Sequence, residues 1–232
     1  MQHPPMIHAQ DLYYEIISHD NHIRILQGLN LSIAAREQVA IVGSSGSGKS
    51  TLLSLLAGLD VPTRGSVHIQ NRPFSHLDED GRAAERGEHM SFVFQSFQLL
   101  PSLTALENVM LPLQLKSHPE AKSVSMEALN KVGLGHRIQH YPKQLSGGEQ
   151  QRVAIARAFA TQPTILFADE PTGNLDNATG QMIIDLLFKM NAEAGTTLVL
   201  VTHDEHLANR CHRQLRLENG VLNESANELV TV

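Results

Sequence analysis

Short apolar runs alternate with longer amphipathic stretches along this chain, and the two periods predict its elements. Residues 39–42, 91–94, 164–168 and 196–201 are compact, mostly apolar runs of the kind that form strands buried on both faces. Between them lie segments with helical spacing. The first carries Leu52, Leu53, Leu55 and Leu56. Residues 146–160 put the small Ala154, Ala156 and Ala158 on one side, and 177–193 carry a stripe of Met182, Ile183, Leu186, Leu187 and Met190. Strands alternating with helices predict an α/β fold around a mostly parallel sheet. Residues 7–14, 23–33 (alternation broken at Gly28) and 67–70 predict an antiparallel layer beside it. The polar stretch 77–88 reads as a surface helix.

The pattern changes after Gln95. Pro101 and Pro112 interrupt an apolar stretch, Thr104 stands three residues before Glu107 at capping-box spacing, and Gly133 and Gly135 stop a helix over 123–132. About 96–149 is therefore expected as a helical insertion into a core made from 1–95 and about 150–232. All of it belongs to one domain of 232 residues.

Composition narrows the class. Hydrophobic residues make up 41% of the chain and charged residues 18%, a globular balance. The net charge is -6 and no block of lysine and arginine occurs, so nothing resembles a nucleic-acid footprint. No apolar stretch approaches the roughly 20 residues of a membrane helix. The N-terminal M-Q-H-P-P-M-I-H lacks the basic and apolar regions of a signal peptide. The single cysteine, Cys211, excludes an internal disulfide and suits a reducing compartment, so a cytoplasmic chain is expected.

The most explicit chemistry lies at Gly43, Ser44, Ser45, Gly46, Ser47, Gly48, Lys49 and Ser50, followed by Thr51, which fit G-x-x-x-x-G-K-[ST] between a strand and a helix. Glycines let the loop backbone come close to phosphate oxygens, and the inward amides and the helix N-terminus supply positive potential. Lys49 brings a mobile charge to the β- and γ-phosphates, and the Ser50 hydroxyl can ligate Mg²⁺. Asp169 and Glu170 end an apolar strand, where open α/β sheets place their chemistry. Asp169 suits a second Mg²⁺ anchor and Glu170 a base for the attacking water. His203 ends the next strand and can hold that water against the γ-phosphate. The pairs His203/His206 and His136/His140 have metal-like spacing but no third ligand, so solvated histidines are the simpler reading. Ser146, Gly147, Gly148 and Glu149, within L-S-G-G-E-Q-Q-R, form a second anion-binding helix start. Two such starts can bind two anions, or two chains can clamp one nucleotide between them.

In order along the chain, G-S-S-G-S-G-K-S, Gln95, L-S-G-G-E, I-L-F-A-D-E, Asn174-Leu175-Asp176 and His203 resemble the Walker A, Q-loop, signature, Walker B, D-loop and switch histidine of ABC transporter ATPase subunits. The resemblance spans about residues 7–220. It implies a RecA-like P-loop core, ATP and Mg²⁺ as cofactors, and Gln95 as both a catalytic residue, beside Glu170 and His203, and a further metal ligand. It also implies a head-to-tail homodimer with ATP between Walker A of one copy and the signature of the other, Asp176 included. A-G-L-D-V-P-T-R-G, F-V-F-Q-S-F-Q-L-L-P, L-T-A-L-E-N-V and F-A-D-E-P-T-G-N-L-D are similar to the lipoprotein-releasing and macrolide-export branch, its YbbA-like members above all. That branch implies an integral inner-membrane permease as partner, docked near Phe97, Leu99, Leu100 and Leu103, with the ATPase peripheral on the inner face of the bacterial cytoplasmic membrane. A periplasmic accessory protein or hydrolase joins the expected partners, and nucleic acid does not. Ile16 falls where the family stacks an aromatic residue on adenine, with Tyr13 and Tyr14 too early in the strand. The rival readings are a soluble cassette ATPase acting on DNA or ribosomes, and a P-loop kinase or GTPase. The first lacks its coiled coils and basic surfaces here, and the second leaves L-S-G-G-E without a role.

Overall fold

The computed structural model describes residues 4–18 and 21–224, so the first three residues of the N-terminal stretch read above lie outside it. The chain forms two compact units, Met1–Arg86 with Thr197–Val232, and Gly87–Thr196.

In the first unit, β1 (Ile7–Ser18) and β2 (Asn21–Ile33) form a long antiparallel hairpin. The hairpin outruns the expected boundary at Tyr14 because cross-strand pairing continues through Ile16–Ile23 and Ile17–His22. Past the covered part of the layer these residues meet solvent, and Ile17 is 80% exposed. β3 (Gln38–Val42) leads into α1 (Lys49–Leu56), whose Leu52, Leu53, Leu55 and Leu56 are all buried. β4 (Arg64–Ile69) then pairs with β1, and the short β5 (Arg72–Pro73) with β4. This is the expected antiparallel layer, in the order β2-β1-β4-β5. The polar α2 (Glu79–His89), within which the chain leaves this unit, buries none of its residues, as its composition predicts.

From Thr197 onward the chain returns to the first unit. There β3 lies between two parallel neighbours, β8 (Thr197–Thr202) and β9 (Arg213–Glu218), with β10 (Val221–Glu224) antiparallel on β9. Every residue of β8 is buried, which explains its unbroken apolar run. The expected elements did not include β9, β10 or the short α7 (Glu205–Ala208). In β9 only Leu215 and Leu217 are buried, between charged residues that face outward. Cys211 lies 4% exposed just before β9, and burial pushes its thiol up to about 12. Folded protein should therefore react with a disulfide thiol reagent at least tenfold more slowly than protein unfolded in urea; equal rates would contradict this burial.

The second unit holds two parallel strands, β6 (Met90–Phe94) and β7 (Ile165–Asp169), and four helices. α3 (Ala105–Leu115) opens with the expected capping box: Thr104 Oγ1 accepts from Glu107 N, and Glu107 Oε2 accepts from Thr104 N at 2.7 Å. α4 (Ala121–Lys131) and α5 (Gly147–Ala160) follow. Small residues were expected on one side of α5, but it is buried nearly all round, with Val153, Ala154, Ile155, Ala156, Ala158, Phe159 and Ala160 all enclosed. It packs against α3, α4, β6 and α6 (Asn177–Ala194), and a helix surrounded in this way has no single polar face. The buried stripe of α6 is also turned from the expected one. Ile183, Ile184, Leu187, Phe188 and Asn191 face inward, while Met182 is 64% exposed.

Candidate nucleotide-binding site

In the first unit, parallel pairing of Val42 with Thr202 brings the ends of β3 and β8 side by side. Gly43 and His203 therefore leave adjacent strands at the same edge. Two of the loop glycines serve different ends. A Cβ on Gly43 would lie 2.4 Å from Leu217 O, so close packing on β9 requires glycine there. Gly48 adopts φ 98°, a left-handed conformation that starts α1 with no side-chain cap. α3, α5, α6 and α7 all spend a Thr, Ser or Asp oxygen on their first amides. α1 keeps those donors and its positive end for another acceptor.

Lys49 is 8% exposed, and its ammonium donates to Gly43 O and Ser44 O, both at 2.9 Å. The cation is thus held over the loop rather than extended into solvent. Ser47 Oγ is buried with no hydrogen-bond partner among the described residues, while Ser44, Ser45, Gly46 and Ser50 are exposed and Thr51 is half-buried. Uncapped amides, a buried unpartnered hydroxyl and an ammonium ion converge on one loop, a donor set complementary to a polyphosphate.

His203 is exposed at the end of β8. Asp204 rather than His203 caps α7, through His206 N at 2.8 Å and Leu207 N. Ile16 is 47% exposed and opposite Ile23. Both nearby tyrosines are committed elsewhere: the Arg64 guanidinium lies 4.8 Å over the Tyr13 ring, and Tyr14 Oη donates to Asp60. That carboxylate holds the Tyr14 phenol protonated, above its ordinary range.

In the second unit, Phe94 pairs with Asp169, so Gln95 and Glu170 also leave adjacent strands together. Gln95 Nε2 donates to Asn174 Oδ1 at 3.1 Å, and Asn174 Nδ2 donates to Gln95 O at 3.0 Å. The Gln95 amide oxygen, the atom a hard cation takes, stays clear of that exchange. Asp169 and Glu170 are half-buried, and Glu170 has φ 45°, uncommon for a residue with a side chain. The oxygen donors of Gln95 and Asp169 fit the preference of Mg²⁺ for amide and carboxylate ligands plus water. No group of three His, Cys, Asp or Glu gathers among the described residues. His140 accepts from the Arg137 guanidinium at 3.0 Å.

The start of α5 differs from a bare anion site. Ser146 Oγ accepts from Glu149 N, while Glu149 Oε2 accepts from Ser146 N at 2.8 Å. These bonds, with Arg137 nearby, hold the Glu149 carboxyl below its ordinary pKa. Glu149 is thus a carboxylate completing the helix cap, and the groups left for an anion are the Gly147 and Gly148 amides. A Cβ on Gly148 would lie 2.6 Å from Thr179 Cγ2, so the signature backbone sits tight on α6, which Asp176 caps through Thr179 N.

Phe97, Leu99 and Leu103 are half-buried and Leu100 is exposed, so none of the four belongs to the core. Their loop is nonetheless firmly held. The buried Asn108 amide donates to Leu100 O, Leu103 O and Thr104 O, and the Arg157 guanidinium donates to Phe97 O and Gln98 O. Asn108 and Arg157 were not among the expected functional residues, because a polar residue inside a helical stripe shows no sign of its partner.

These features agree with comparison to known proteins. The family model for ABC transporters matches residues 26–173. This chain belongs to the ABC transporter family. It is 54% identical over 209 residues, 89% of its length and 92% of the relative's, to the uncharacterized ABC transporter ATP-binding protein YbbA of Escherichia coli K12. It is 53% identical over 198 residues, 84% of its length and 86% of the other's, to the lipoprotein-releasing system ATP-binding protein LolD of Hydrogenovibrio crunogenus. Among solved structures, the dimeric post-hydrolysis state of the ATP-binding cassette MJ0796 bound to ADP and Pi superposes with a TM-score of 0.87 at 43% identity, covering 95% of this chain and 98% of that one. The fold is therefore the ABC cassette, and the chain is an ATP-hydrolysing transporter subunit of that family. No helix among the described residues is long and apolar enough to cross a membrane.

Proposed function

We propose that the chain binds Mg-ATP, closes head-to-tail with a second copy around it, and through that closure moves an integral inner-membrane permease. The observation that carries the reading is the loop from Gly43 to Thr51, where an ammonium ion, a buried hydroxyl and an uncapped helix start converge. Gly43–Gly48 and Lys49 cradle the phosphates, and Ser50, Gln95 and Asp169 hold Mg²⁺, which screens phosphate charge when bound. Glu170 takes the proton from the attacking water, and His203 donates to the γ-phosphate. Ser146, Gly147, Gly148, Glu149 and Asp176 of the second copy complete the enclosure. The helical lobe, about 96–149, carries the signature, and the loop bearing Phe97, Leu99, Leu100 and Leu103 receives the permease. Asn108 and Arg157 brace that loop, so force is delivered through fixed backbone. The ATPase thus sits on the inner face of the cytoplasmic membrane, and a periplasmic accessory protein or hydrolase is the expected further component.

Affinity capture from detergent-solubilised membranes tests the partner. An integral membrane protein released by Leu100→Glu supports the reading, and capture of ribosomes or DNA instead overturns it. Nucleotide preference tests Ile16. An aliphatic side chain covers a base without an aromatic face, so ATP and GTP affinities are expected within about tenfold of each other, less than one aromatic stack can discriminate. A larger ratio in equilibrium binding would contradict this.

A further inference from the structure

We propose that Gln151 is a positioning residue for Glu170; this rests on the reading of Glu170 as the base. Gln151 projects from α5 with 0% exposure. Its Nε2 donates to Pro171 O at 2.5 Å and to Phe94 O at 3.4 Å. Pro171 immediately follows Glu170, and Phe94 immediately precedes Gln95. One amide group thus tethers the backbone on the far side of the base and on the near side of the glutamine assigned to Mg²⁺.

The tether matters because Glu170 is held at φ 45°. A side-chain-bearing residue stays there only when its surroundings over-determine the backbone. Among its constraints are the turn closed by Gly173 N donating to Glu170 O at 3.0 Å, and the fixed carbonyl of Pro171. Without the second, the peptide after Pro171 can turn, and the left-handed Glu170 and its carboxylate shift with it. The remaining atom argues against simple packing. Gln151 Oε1 is buried with no hydrogen-bond partner among the described residues. Methionine would fill similar volume without stranding an acceptor, so the donors are what a glutamine adds here.

The test is Gln151→Met, alone and combined with Glu170→Gln, read as steady-state ATPase and ATP binding. Alone, kcat is expected to fall about ten- to a hundredfold, the scale of a misplaced catalytic group, with ATP affinity within threefold of wild type. In the Glu170→Gln background, Gln151→Met is expected to reduce the residual rate less than twofold, because the base it positions is already gone. A general packing role would instead lower both backgrounds equally. That result, or an unchanged kcat in the single variant, overturns the proposal. Should Gln151→Met fail to fold, Gln151→Leu under the same readouts decides. Glu170→Gln alone separates the two ideas: wild-type turnover there removes the assignment of the base itself.

Discussion

Lys49→Ala is expected to weaken ATP binding by roughly 10²–10⁴ and to abolish measurable hydrolysis. Lys49 Nζ lies against two loop carbonyls, at the centre of a site with no other cationic side chain supplied by the loop. On binding, its protons are expected to turn to the β- and γ-phosphates as charge-assisted hydrogen bonds, each contributing about 1.5–3 kcal/mol. Losing two of them gives the expected range. The main chain loses comparatively little: Gly43 and Ser44 carbonyls give up a donor, but Ser44 O retains Ser47 N at 3.2 Å. The variant should therefore stay folded, and titration with a fluorescent ATP analogue isolates the binding loss. Affinity within threefold of wild type would show that the loop amides suffice without the charge.

Glu170→Gln should leave ATP binding intact and slow hydrolysis by about 10²–10⁴, the contribution usual for a positioned acid–base group. The amide keeps the size and the hydrogen-bonding capacity of the side chain but cannot accept a proton from water. Its position follows from β7: the strand is buried to Ala168, and the chain turns out of it at a strained residue next to the end of β6. Single-turnover assays with bound ATP separate this from slow product release. A rate within a factor of three of wild type would place the base elsewhere, His203 being the next candidate.

How much of this was legible in the sequence depends on the range of the interactions. The phosphate loop and the capping box at Thr104 are written in a few consecutive residues, because their hydrogen bonds close within one turn. Buried strands were legible for the same reason: β8 has no polar face to confuse its pattern. The stripe of α6 was not, since Met182, Ile183, Ile184, Leu186 and Leu187 offer apolar residues over more than one face, and only packing chooses Ile184 over Met182. Gln151 and Asn174 belong to the same class. Gln151 stands in a motif whose start was read as an anion site, but its donors are satisfied 20 and 57 residues away, across contacts fixed by strand register and the burial of α5. The start of α5 reads as an anion site of Ser146, Gly147, Gly148 and Glu149, but Glu149 fills part of it, because a carboxylate at N3 satisfies the cap before any ligand arrives.

Sedimentation of the Glu170→Gln protein with and without Mg-ATP addresses the joint between the two copies. With hydrolysis blocked, saturating Mg-ATP is expected to convert a monomer into a species of twice its mass, and Ser146→Arg, which puts a cationic bulk at the signature helix start, to keep it monomeric while each chain still binds ATP. A protein that remains monomeric at full nucleotide occupancy would contradict the shared-nucleotide clamp.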